Sequence, residues 1–248
     1  GIVGFKPSYD RINTAGMIYF SRTVDHLGLF TQDVMGMQEA ASLLLKDWRA
    51  GLGELRRPVL AVPAGPYLAQ MERDAMLAFE EHVRRLAWGG YTVVRIPEFG
   101  DIKAIDELHQ NLIAAEFAQE HRTFYADYPD RYRPRSAALI ERGKKISSEL
   151  VEAGRTSCQE LRSRLHAQMD KNDVDLWLTP AATGPAPAGI HATGNPAMNM
   201  PWTHAGLPTL TLPAGKAENG LPLGVQFSAK FGMDEELLAW AQALTRSL

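Results

Sequence analysis

The hydrophobic pattern of the chain opens with a short apolar run, Gly1-Ile-Val-Gly-Phe-Lys-Pro7, closed by a proline, which predicts a buried strand ending in a turn. Residues 8–32 carry no sustained period, with a strand expected at Met17–Phe20 and turn signals at Gly16 and Gly28. From Asp33 the spacing of Val34, Met37, Ala40, Ala41, Leu44 and Leu45 is helical, and Asp33 is placed to cap the helix. After a break at Gly51–Gly53, the continuous apolar run Pro58–Pro63 predicts a strand covered on both faces. An amphipathic helix over Leu68–Ala87, stopped by Gly89 and Gly90, leads to a strand at Tyr91–Ile96. Such a strand–helix–strand unit implies a parallel pair with a right-handed crossover.

Strand signals then vanish. Three helices are expected at about 101–124, 136–150 and 155–171, with breaks at Tyr128-Pro-Asp130 and at Gly154. Asp175–Pro180 is another buried strand. Between Pro180 and Gly232 lie eight of the 15 prolines and eight of the 21 glycines, so that stretch reads as loops around two strands, Pro208–Pro213 and Leu223–Phe227. Asp234 is expected to cap a last helix through Leu244. The pattern as a whole is that of an α/β protein, and loops laid over such a sheet are where sites gather. No internal repeat and no polar linker divides the chain, so one domain, or part of one, is expected.

Composition narrows the function classes. With 45% hydrophobic residues in 248 the chain buries a real core, and disorder is excluded. Lys+Arg 26 against Asp+Glu 29 gives a net charge of −3, which advertises no basic surface for nucleic acid or an acidic membrane. No run of about 18 apolar residues suggests a membrane span. The first residues lack a basic segment of the kind that opens a signal peptide and also lack an initiator Met; the expectation is a cytoplasmic protein whose sequence begins in mid-domain.

Several constellations invite chemistry, and most have a plainer reading. Cys158, the only cysteine, sits on an expected helix among polar neighbours with no Gly-rich turn nearby, so it reads as an ordinary cysteine. His109, Glu116 and His121 share a helix without the spacing of a metal site, and read as solvated side chains. Lys144-Lys-Ile-Ser-Ser148 offers hydroxyls beside an amine, but a regular helix has no free backbone N–H groups to hold an oxyanion. His191 and His204 flank the Gly/Pro-rich loops and are better placed to line a pocket. No metal site and no cofactor motif emerges.

Two blocks, taken together, resemble the amidase signature family of serine hydrolases. The first is Gly1-Ile-Val-Gly-Phe-Lys-Pro-Ser-Tyr-Asp-Arg-Ile12, followed by Gly16 and by Ser21-Arg-Thr-Val-Asp-His-Leu-Gly28. The second is Trp202-Thr-His-Ala-Gly-Leu-Pro-Thr-Leu-Thr-Leu-Pro-Ala-Gly215, then Gly220-Leu-Pro-Leu-Gly-Val-Gln226 and Asp234-Glu-Glu-Leu-Leu238; the strand Asp175–Pro180 also resembles the family's pattern. Order and spacing match over nearly the whole chain. The resemblance implies a mixed, twisted sheet with helices on both faces, and amide hydrolysis by a Ser–cis-Ser–Lys triad without metal or organic cofactor. In that chemistry a buried lysine loses its charge more readily, and backbone N–H groups hold the oxyanion.

The triad residues of the family lie in motifs upstream of the first block, so the resemblance implies that no catalytic residue lies in this chain. Residues 1–248 are then expected to be the C-terminal portion of a single amidase domain, inactive alone, with the N-terminal part of the same enzyme as partner. Three departures stand out: Asp10 where the family usually has Gly, Thr203 where Asn is common, and Leu29 where Pro is usual. The pocket candidates are Met17, Tyr19, His191, Asn199, Trp202, Thr203 and His204. The expected ligand is a small-molecule amide, with a homodimer possible and neither nucleic acid nor membrane as partner. The alternatives are the glutaminase subunit of a tRNA-dependent amidotransferase, which belongs to the same family, and a non-catalytic binding module.

Overall fold

The computed structural model describes residues 1–248. Seven strands form one sheet: β1 (Val3–Lys6), β2 (Leu29–Thr31), β3 (Leu60–Ala64), β4 (Val93–Pro97), β5 (Leu176–Pro180), β6 (Thr209–Lys216) and β7 (Pro222–Ser228). Their order across the sheet is β2-β1-β6-β7-β5-β3-β4. β3 pairs in parallel with β4 and β5, and every other neighbouring pair is antiparallel, so the sheet is mixed. The parallel β3–β4 pair is the one the strand–helix–strand pattern implied.

Eight helices flank it: α1 (Val34–Leu44), α2 (Arg73–Trp88), α3 (Ile102–Glu120), α4 (Arg122–Asp127), α5 (Pro134–Gly143), α6 (Ser148–Lys171), α7 (Met200–His204) and α8 (Asp234–Arg246). α1 and α8 pack together, against β2 and β6 respectively. α7 packs against α3 and α6, and its Trp202 meets Trp177 of β5. The fold is therefore α/β with helices on both faces. No helix is long and apolar enough to cross a membrane.

The alternation of side chains along a strand explains how one sheet serves two purposes. Phe5, Leu210, Phe227 and Leu178 are register partners on successive strands, so they share one face, and all are buried. The opposite parity brings Gly4 and Lys6 of β1, Thr209 and Thr211 of β6, Gln226 and Ser228 of β7, and Thr179 of β5 onto the other face. One face is apolar core. The other is a polar stripe.

Four expectations from the pattern are corrected. Met17–Phe20 is not a strand: Phe20 N and Ser21 N both donate to Asp25 Oδ2, at 2.6 and 3.0 Å, which folds the segment into a turn. The strand of that region is β2. Gly154 does not break a helix either. α5 ends at Gly143, and α6 starts at Ser148, capped by Ser147 Oγ at 3.4 Å from Leu150 N. Gly154 sits within α6 because α3 crosses there; a Cβ would lie 2.9 Å from Leu112 Cβ. The long helix expected at 101–124 is divided at His121 into α3 and α4. Asp33 does cap α1, accepting from Gly36 N at 2.8 Å. Asp234, by contrast, is the first residue of α8, and its buried carboxylate accepts from Ser8 N at 2.7 Å and Ser8 Oγ at 2.6 Å.

The two blocks of sequence that carry the resemblance meet at this point. Ser8 and Arg11 come from the first, Asp234 and Glu235 from the second. Arg11 Nη2 lies 2.6 Å from Glu235 Oε1, and Arg49 Nη2 lies 2.9 Å from Glu235 Oε2. Buried carboxylates are stable only with such partners.

The α3–α5 crossing gives the fold its sharpest steric test. At Gly143 a Cβ would fall 1.9 Å from the Ala114 carbonyl oxygen, whereas at Gly53 it would meet open space. Gly143→Ala is expected to cost about 2–3 kcal/mol, and Gly53→Ala to stay within about 0.5 kcal/mol. Urea unfolding of the two variants checks this; equal losses would mean that α3 and α5 are not in that contact.

Candidate functional site

The polar stripe opens into a cleft of about 340 Å³ lined by Lys6, Thr209, Thr211 and Gln226, with Asn199 and Thr203 from the loop and helix above and Phe30 at the rim. A larger cleft of about 460 Å³ continues past the ends of β5 and β6, and both share Ile2, Ala181, Asn199 and Thr211. Gly1 lines the larger one. Together they make one trough running from the start of β1 past the carboxyl end of β5, the end at which α/β sheets commonly bind ligands.

Lys6 is the one charged side chain in the smaller cleft. Burial lowers its pKa to about 7, with Asp234 opposing the shift and Arg162 adding to it. Its Nζ donates to the Leu207 carbonyl at 2.5 Å, so it holds the turn before β6 rather than a hydroxyl. Thr209 and Gln226 are buried, and Gln226 Nε2 donates to Thr179 Oγ1 at 3.3 Å. These groups can orient a carboxamide by neutral hydrogen bonds.

The candidates from the sequence separate into two groups. Asn199 and Thr203 line the trough. Asn199 Nδ2 donates to the Ala181 carbonyl at 3.2 Å. Trp202, between them, turns into the core, where its Nε1 donates to Tyr67 Oη at 3.1 Å. His191 is exposed on the 181–195 loop and lines neither cleft. Met17 and Tyr19 lie apart from the trough; Tyr19 Oη is 2.6 Å from Thr14 Oγ1 beside a small separate hollow.

His204 is buried under α7. Its Nδ1 is 3.1 Å from His109 Nδ1 and 3.3 Å from Cys158 Sγ, and its Nε2 is 3.1 Å from Ser157 Oγ. The network closes when His204 carries its proton on Nε2, donating to Ser157, while Nδ1 accepts from His109. A second proton would set two donors face to face, and burial together with His109 lowers the His204 pKa to about 3. The Cys158 thiol is pushed up to about 12 by the same burial, so it is held as an unreactive thiol.

The solvated reading of His109 and Glu116 is therefore corrected: both are buried. Glu116 is held by Ser21 Oγ at 2.7 Å, Thr23 Oγ1 at 2.6 Å, Thr23 N at 2.9 Å and Arg155 Nη2 at 2.8 Å. His121 is half-buried, its ring 4.2 Å from that of Phe117. Lys144 pairs with Glu141 at the surface. No group of three His, Cys, Asp or Glu side chains is arranged to hold a metal ion. Thr209, Thr211, Gln226 and Lys6 were not singled out from the sequence. Their signal was the parity of β1, β6 and β7, which puts a polar residue at every second position of apolar strands.

The model of the family described as Amidase matches residues 1–238. The chain belongs to the amidase family. Among similar curated proteins, the A-type subunit of the glutamyl-tRNA(Gln) amidotransferase of Synechococcus sp. (strain WH7803) is 27% identical over 96% of this chain and 58% of its own length. The indoleacetamide hydrolase of Allorhizobium ampelinum is 25% identical over 98% of this chain and 59% of its own. The chain thus spans about three fifths of the length of such relatives. A solved amidase structure superposes with a TM-score of 0.87 at 25% identity, covering 100% of this chain and 58% of that one. The fold is also that of a 6-aminohexanoate cyclic dimer hydrolase, with a TM-score of 0.81 at 19% identity over 100% of this chain and 61% of that one.

Two of the departures from the amidase pattern have a visible structural setting. Asp10 takes a φ of 64°, the left-handed conformation that glycine adopts freely, and Lys46 pairs with its carboxylate at 2.7 Å. The turn is kept despite the side chain. Leu29 begins β2, opposite Phe5.

The buried histidines generate a pH dependence. Above pH 6.5 His204 is neutral in both folded and unfolded states. As the pH falls below 6.5 the unfolded chain takes up a proton that the folded one refuses until about pH 3, so stability is lost on acidification. Between pH 7 and pH 5 this contribution is about 2 kcal/mol. Urea unfolding of His204→Gln is expected to show a loss over that interval smaller than that of the unaltered protein by about this amount; an unchanged loss would contradict the buried neutral assignment.

Proposed function

We propose that the full-length protein is an amide hydrolase, cleaving a carboxamide C–N bond to a carboxylic acid and ammonia or an amine. In this reading residues 1–248 are the C-terminal portion of a single amidase domain, and a Ser–cis-Ser–Lys set from the N-terminal part completes the site, as the family resemblance implies. The observation that carries the reading is the polar stripe of Thr209, Thr211 and Gln226 on an otherwise apolar sheet, open to a trough that Gly1 and Ile2 help to line. A nucleophile delivered beside Gly1 would meet a carboxamide oriented by those neutral groups. The 25% identity to indoleacetamide hydrolase supports the same chemistry.

Within residues 1–248 no lining hydroxyl of the trough has a hydrogen bond to an unprotonated base. Lys6, whose amine lines the smaller cleft, is engaged by the Leu207 carbonyl. The expected result is ammonia release from simple carboxamides by the full-length polypeptide and none from residues 1–248 alone, measured by a coupled ammonia assay. Hydrolysis by the isolated residues, with contaminants excluded, would sink the division of labour.

A second reading, the glutaminase component of an amidotransferase, is favoured by similarity to several proteins named as A-type subunits of glutamyl-tRNA(Gln) amidotransferases. It requires glutamine turnover that rises on addition of the partner subunits. A non-catalytic binding module requires that no amide be turned over at all.

Asn199 and Thr203 provide the residue-level test. Both are at the trough wall, one exposed and one half-buried. Asn199→Ala and Thr203→Ala in the full-length enzyme are expected to change the ratio of kcat/KM between two amides by about tenfold, the worth of one hydrogen bond. The melting temperature should stay within about 2 °C of the parent. A large fall in melting temperature with selectivity unchanged would assign them a structural role instead.

A further inference from the structure

The larger cleft has an unusual wall. α2 contributes Ala78, Phe79 and His82, the loop after β5 contributes alanine, proline and glycine, and Val225 closes one side. None of the residues that line it is Asp, Glu, Lys or Arg, and the carboxylate of Glu72 packs against Gly184 of the wall. Its one titratable side chain is His82, whose Nδ1 is buried without a hydrogen-bond partner and whose pKa is lowered by burial and then by Arg85, so the ring is neutral near pH 7. The remaining polar groups, Thr183, Thr193 and Asn195 among them, are uncharged.

Such a wall discriminates by charge. An ionised carboxylate entering it leaves water without a cation to replace that hydration, at a cost of several kcal/mol. An alkyl or other neutral group gains from the transfer. A cleft of about 460 Å³ is also within the size range of small-ligand pockets.

Resting on the amide-hydrolase reading, we propose that the preferred substrate is an amide whose organic group is neutral and largely apolar and occupies this cleft, and that amides carrying an ionised carboxylate there, glutamine included, are rejected. This separates the two enzymatic readings by substrate chemistry. Glutamine brings a free carboxylate into the cleft, and this wall supplies no cation for it.

The test uses the full-length protein with hexanamide, its ω-carboxylate analogue adipamate, and glutamine, following ammonia release and, separately, ligand-induced thermal stabilisation. Hexanamide is expected to exceed both others in kcat/KM by on the order of 100-fold. Ala78 is half-buried on α2, where arginine is a good helix former. Ala78→Arg places a cation in the cleft and is expected to narrow the hexanamide-to-adipamate ratio by about tenfold. Ala78→Leu, which only fills space, should raise KM for hexanamide and leave the preference for it over adipamate intact.

Adipamate or glutamine turned over as well as hexanamide would overturn the inference and leave the hydrolase reading standing. Turnover of none of the three, with hexanamide still binding more tightly than adipamate, would overturn the hydrolase reading and support the charge discrimination. Neither turnover nor binding of hexanamide would overturn both. An Ala78→Arg protein that folds, by circular dichroism, yet leaves the ratio unmoved would place the substrate outside this cleft and overturn the inference.

Discussion

The register of β6 between β1 and β7 is the constraint on which the site depends. Phe5 opposite Leu210 and Leu210 opposite Phe227 put those three side chains in the core, and the same pairing puts Lys6, Thr209, Thr211 and Gln226 on the other face. A slip of one residue in β6 would bury its threonines among α1 and α8 and turn Leu210 and Leu212 into the trough. Core burial therefore specifies the floor of the site. The hydrophobic gain from residues far from any ligand holds the polar groups in position.

A second constraint ties the ends of the sequence together. Asp234 at the start of α8 accepts two hydrogen bonds from Ser8, immediately after β1, and Gly232 N donates to Ser8 Oγ at 2.8 Å. Leaving either partner without the other would strand a buried polar group. This contact anchors α8 to the chain segment that leads out of the cleft, and it joins the two sequence blocks that carry the amidase pattern. The polar groups of His109, Cys158 and His204 play a comparable part under α7, where Thr203 of the helix and Asn199 just before it line the trough.

Much of the fold was legible in the sequence because period and punctuation agreed there. Asp33 capped α1 as its position implied, and the continuous apolar runs at Leu60–Ala64 and Leu176–Pro180 became interior strands. Legibility failed where tertiary contact overrode a local signal. Gly154 looked like a break, yet it is the small residue that lets α6 approach Leu112. Tyr19 and Phe20 looked like strand residues until Asp25 drew the backbone into a turn. The site was half legible. Asn199 and Thr203 followed from their loop, but local sequence could not show that Trp202 and His204, on the same short helix, turn inward, since that depends on α3 and α6. Lys6, Thr209, Thr211 and Gln226 needed the strand pairing before they could be seen as one surface.

In the proposed site a carboxamide lies on the polar stripe with its organic group in the adjoining uncharged cleft. A structure of the full-length protein with hexanoate, the acid product of hexanamide, tests that placement most directly. The expected complex has the carboxylate over Thr209, Thr211 and Gln226 near Gly1, with the alkyl chain running toward Ala78 and Val225. A ligand seated instead at the hollow beside Tyr19, or an alkyl chain leaving the trough on the side of Phe30, would contradict it.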